Sequence, residues 1–61
     1  MVLRITTASA NGKVQSFLRT YGQILSEQYD DGQAIIEVRM GKNQIPELER
    51  LRPEKVEMVQ G

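Results

Sequence analysis

The chain has no cysteine, so it can build neither a disulfide framework nor a thiolate metal site. It has no histidine, which removes the usual general base, the usual proton switch and the commonest metal ligand. An independent enzyme made from this sequence would have to work with carboxylates or lysine. Net charge is missing too, because eight Lys and Arg cancel eight Asp and Glu. A nonspecific polyanion binder draws its affinity from clustered basic side chains that neutralise phosphates, and a zero balance argues against one. A single local contact with RNA stays open. No apolar run approaches the roughly 20 residues of a membrane span, and Met1-Val2-Leu3-Arg4 does not begin a signal peptide. The expected compartment is the cytoplasm. Internal repeats, low-complexity segments and interdomain linkers are absent as well. Sixty-one residues allow one domain, near the lower limit for folding without disulfides or metal.

What is present is a grammar of alternation and helical spacing. Val2 to Thr6 alternates apolar and polar residues and is rich in β-formers, which predicts a first strand. The small-residue stretch Thr7 to Gly12 suits a turn into a helix, with Ser9 or Asn11 as its cap. Val14, Phe17, Leu18 and Tyr21 then fall on one helical stripe, leaving Lys13, Gln15, Ser16, Arg19 and Thr20 towards water. Gly22 stands where a left-handed cap is expected.

Gln23 to Tyr29 and Gln33 to Met40 read as two further strands joined through Asp30-Asp31-Gly32. Asp-Gly between strand patterns marks a tight hairpin, whose primed turn needs positive φ. Ala34, Ile36, Val38 and Met40 share the expected core face of the second strand, while Ile35, Glu37 and Arg39 share the other. In the partner strand a two-residue loop directs Leu25 and Tyr29 inward, and a one-residue shift directs Ile24 there instead. The first register is the expected one. Asn43 can cap a second helix with Pro46 in its first turn and Ile45, Leu48 and Leu51 on its buried stripe. Arg52-Pro53 ends it. Lys55 to Val59 alternates again, as an edge strand or a frayed tail. The order β-α-β-β-α(-β) predicts an α+β, ferredoxin-like domain over residues 1–61: an antiparallel sheet with two helices on one face.

Motifs that suggest chemistry dissolve on inspection. Gly12-Lys13 invites a phosphate-loop reading, but Thr7 stands where that motif needs its first Gly and Val14 where it needs Ser or Thr. Backbone N–H groups of the preceding segment could meet an anion at the helix start, although an ordinary turn explains them as well. Asp30-Asp31 lacks the six to eight oxygens calcium takes, with only Glu27 nearby, and reads as a solvated hairpin tip. Glu47, Glu49, Arg50 and Arg52 read as a solvated helix face. RNA-recognition motifs share this topology but stack bases on aromatics of the central strands. Val2 to Thr6 and Gln33 to Met40 contain none.

The remaining surface is the sheet face opposite the helices. Arg4, Thr6, Ile35, Glu37 and Arg39, with Val2 and Val59 nearby, would form a mixed face of aliphatics among balanced charges. Such a face suits docking better than catalysis, and Arg4, Ile35, Glu37 and Arg39 are the candidate partner-binding residues. No catalytic, cofactor or metal residue stands out.

One family comes into view in the run from Ser9 to Gly32 and in Ala34-Ile35-Ile36-Glu37-Val38-Arg39-Met40. These segments resemble the C-terminal subdomain of HflX-type GTPases. Gly12, Leu18, Gly22, Ile24, Tyr29, Gly32, Ile36 and Val38 carry the likeness, which spans about Leu3 to Leu51. It consists of fold-forming residues, and the stretch after Arg52 departs from it. The resemblance implies a noncatalytic accessory domain, excised from the C-terminus of a longer ribosome-associated GTP-binding protein. Its partners would be the GTPase domain of the parent chain and large-subunit ribosomal proteins or rRNA, with no membrane and no direct nucleotide binding. A second reading is a small-molecule regulatory module of the ACT type, which shares the plan. Its ligand would sit near the first strand-to-helix loop, Thr7 to Gly12.

Overall fold

The computed structural model describes residues 1–60, the last of them through its backbone. Strand β1 spans Val2–Ala8, helix α1 Gly12–Tyr21, strand β2 Gln23–Asp30 and strand β3 Gln33–Arg39. A short 3-10 turn at Lys42–Gln44 leads into helix α2, Ile45–Arg50, and strand β4 spans Lys55–Gln60. The four strands form one sheet in the order β2-β3-β1-β4, and every adjacent pair is antiparallel. This is a small α+β fold of the ferredoxin-like type. The tail-or-strand question at the C-terminal end resolves as an edge strand.

One core holds the layers together. Leu3 and Ile5 from β1, Ala34, Ile36 and Val38 from β3, and Met40 just beyond it form a single cluster with Val14, Leu18 and Leu48 of the helices. Every buried helical residue joins that one sheet face, so both helices lie on it. Each fully buried aliphatic side chain contributes about 1.5–3 kcal/mol, a large share of the stability available to a chain this short.

Local sequence explains how the elements start and stop. Asn11 caps α1, its Oδ1 accepting from the Val14 N–H at 3.4 Å, so Asn11 rather than Ser9 fills that role. The β2–β3 hairpin turns on Asp31 (φ 50°) and Gly32 (φ 76°), a two-residue loop with positive φ at both positions, which is what a type I′ turn requires. Arg52 also takes a positive φ, 58°, as the chain leaves α2 towards β4.

Five expectations need correction. Gly22 is extended (φ −132°, ψ 170°), not left-handed. Glycine is needed there for close approach, because a Cβ would run into Cγ2 of Val38 and crowd the Leu18 carbonyl at 3.0 Å. Tyr21 is exposed by 54% rather than buried. It ends α1, and Gly22 turns the chain at once into the edge strand, leaving Phe17 as its ring partner at 4.8 Å. Asn43 does not cap α2; it lies inside the 3-10 turn, and Gln44 holds the N-cap position without a side-chain bond. Leu25 is not in the core. The pairing passes from Ile24↔Val38 to Ser26↔Glu37, so Leu25 is the extra residue of a β-bulge and is 43% exposed. The bulge lets Ile24 pack on the core while Tyr29 still lies opposite Ala34. Tyr29 faces the helix side but is 56% exposed, so neither residue expected inward on this strand is buried.

Candidate interaction surface

Alternation along β1 and β3 creates the open face directly. With Leu3, Ile5, Ala34, Ile36 and Val38 committed to the helices, the residues between them must point the other way. The register arranges them in rows across the sheet. One row runs Ser26, Glu37, Arg4, Glu57, and the next runs Gln28, Ile35, Thr6, Lys55. A third holds Gln23, Arg39 and Val2. All four candidate residues, Arg4, Ile35, Glu37 and Arg39, therefore lie on one surface.

Within it Arg4 and Glu37 are joined. Nη2 and Nε of Arg4 both donate to Oε2 of Glu37, at 3.1 and 3.3 Å. The two side chains remain 43% and 33% exposed, so the pair contributes about 0–1 kcal/mol to stability. Its larger effect is to tie the guanidinium to the neighbouring strand at the middle of the face. Arg39 is exposed and has no ion-pair partner among the described residues. Val2 is 8% exposed yet stands outside the helix-side cluster. Sequence reading left out Lys55, Glu57, Ser26 and Gln28. They belong to the outer strands, whose register only the pairing reveals.

A second polar group lies on the helix side of β2. Arg19 Nη2 and the Tyr29 hydroxyl both donate to Oε1 of Glu27, each at 3.0 Å. The Arg19 bond, then the Tyr29 bond, holds the Glu27 carboxyl below its ordinary pKa. The same bond to Glu27 pushes the Tyr29 phenol up, since losing its proton would set two negative groups together. Nothing in the linear pattern links Arg19 to Glu27, because they meet only through the α1–β2 reversal.

The Thr7 to Gly12 segment is engaged with itself, with the β2–β3 turn and with α1. Ser9 N–H donates to the Gly32 carbonyl at 2.8 Å, Asn11 N–H to Ala8 at 2.9 Å and Gly12 N–H to Ala10 at 3.0 Å. Gln15 Nε2 reaches the Ser9 carbonyl at 2.8 Å. Donors that an anion or a regulatory ligand would need are largely spent. Thr7 Oγ1 is buried without a hydrogen-bond partner. Asp30 and Asp31 are exposed at the hairpin tip, and no group of three metal-ligating side chains forms among the described residues. No cavity opens among them either. No helix is long and apolar enough to cross a membrane.

No family model, curated protein or solved structure matches the chain.

Proposed function

We propose that this chain is a noncatalytic docking module that engages a protein partner through the open face of its sheet. The observation that carries the reading is the open face itself. Arg4 and Glu37 pair at its centre, flanked by Ile35 and bordered by Arg39, which has no ion-pair partner among the described residues. A surface with aliphatic contacts, fixed charges and an available arginine offers what a modest protein interface uses. The residues quoted for HflX-type tails support the fuller form of the proposal. In that form the module belongs to a cytoplasmic, ribosome-associated GTP-binding protein and packs on its GTPase domain or touches the large ribosomal subunit. The nucleotide site would lie elsewhere in the parent chain. The spent donors of the Thr7 to Gly12 loop turn the choice away from an ACT-type ligand site.

Amide chemical-shift mapping tests this with a GTPase domain of that family, or its large ribosomal subunit, as titrant. Shifts clustered at Arg4, Thr6, Ile35, Glu37 and Arg39 support docking by the open face. Shifts confined to α1 and α2 would remove the face from the proposal. No shifts at physiological concentration would remove these partners.

A further inference from the structure

The two edges of the sheet differ in the charges they present to another strand. On β2 the bulge at Leu25 is followed by a regular run from Ser26 to Asp30 whose open-face side chains, Ser26 and Gln28, are uncharged. On β4 the irregularity sits at the far end, between the Leu3 and Val2 pairings, and Lys55 to Met58 run in regular register. Both edges expose apolar side chains, Leu25 and Tyr29 on β2 and Met58 and Val59 on β4, but only β4 carries opposite charges two residues apart, at Lys55 and Glu57. An edge strand of this kind is a template for strand addition.

We infer that β4 pairs with β4 of a second copy of this chain, antiparallel about a two-fold axis through Val56, joining the two sheets through Lys55, Val56 and Glu57 of each copy. Charge selects both the occupant and the register. Lys55 and Glu57 lie two residues apart on the open face, where they form a loose 3.8 Å contact within the strand. With Val56 opposite Val56 of the second copy, each Lys55 opposes the other copy's Glu57, placing two ion pairs across the join. Sliding the axis to Glu57 sets two carboxylates directly opposite and is penalised. Placing it between Val56 and Glu57 sets each charged residue against an apolar one. The favoured register also brings Met58 diagonal to the second copy's Val56 on the helix side, covering its exposed flank. Only a chain carrying this Lys-x-Glu spacing completes the pattern, and a second copy is that chain by definition. Lys55 and Glu57 end two rows of the open face, but the pairing uses the outer edge of β4 and does not rely on the docking proposal.

Sedimentation equilibrium on the 61-residue chain, with single and paired charge reversals, tests the inference. Wild type is expected to reach twice the chain mass as concentration rises towards about 1 mM, and to retreat as salt screens the pairs. Lys55→Glu alone and Glu57→Lys alone are each expected to stay monomeric, since like charges then meet at both joins. Their equimolar mixture is expected to form a heterodimer, and the double reversal to restore the homodimer. Circular dichroism confirms that each variant is folded, as the 65% and 40% exposure of the two side chains leads one to expect. A wild-type chain monomeric throughout, single reversals that dimerise like wild type, or a mixture that stays monomeric would each overturn the inference.

Discussion

The two faces of β1 and β3 are made from the same strands, residue by residue in turn, yet they obey opposite rules. On the helix side Ile5, Ala34 and Val38 are fully buried and Ile36 is 1% exposed. On the open side Arg4, Glu37 and Arg39 keep contact with water. The first face determines whether the domain exists, and the second is free to carry specificity. A short chain can separate the two tasks because strand alternation does it without a second layer.

Substitutions in the core should break the comparison most severely. Leu18→Ala removes a fully buried side chain and should cost about 2–5 kcal/mol, enough to leave the domain substantially unfolded at 25 °C by circular dichroism. Gly22→Ala forces a Cβ against Val38 and should cost about 1–3 kcal/mol in urea unfolding, although its backbone angles would suit alanine. Thr7→Val acts in the opposite direction. It replaces a buried hydroxyl without a partner by a methyl and should stabilise by about 1 kcal/mol, read as a higher urea midpoint.

The smallest effect belongs to the Arg19–Glu27–Tyr29 group. The folded-state carboxyl of Glu27 titrates lower than the unfolded one. Its contribution is therefore complete above the unfolded carboxylate pKa and is lost as pH falls through the folded value. Tyr29 shifts upward, so its contribution is complete below the unfolded phenol pKa and is lost as pH rises through the folded value. Urea midpoints measured against pH should show a shallow acid decline in wild type that Glu27→Gln lacks.

The architecture was legible because its signals are local and periodic. The α1 stripe, the Asp-Gly turn and the alternation of Ala34 to Met40 each specify their own surroundings. What escaped depends on contacts between distant elements. Gly22 looked like a left-handed cap because its true constraint, the nearness of Val38, lies on another strand. Alternation directs Leu25 inward because a bulge leaves no mark in an alternating pattern. Tyr21 continues the helical stripe, but it is the last residue of α1 and stays 54% exposed beside Phe17. The four candidate residues of the open face were legible from alternation alone, whereas Glu57 and Lys55 required the β1–β4 register.

The most direct test contrasts two adjacent isoleucines on β3. Urea unfolding of Ile36→Ala and Ile35→Ala compares the faces with the same chemistry and the same strand. The alternation account predicts a loss of about 2–5 kcal/mol at Ile36 and of about 1 kcal/mol or less at Ile35. Equal losses, or a larger one at Ile35, would contradict it, because the open face would then be holding the domain together.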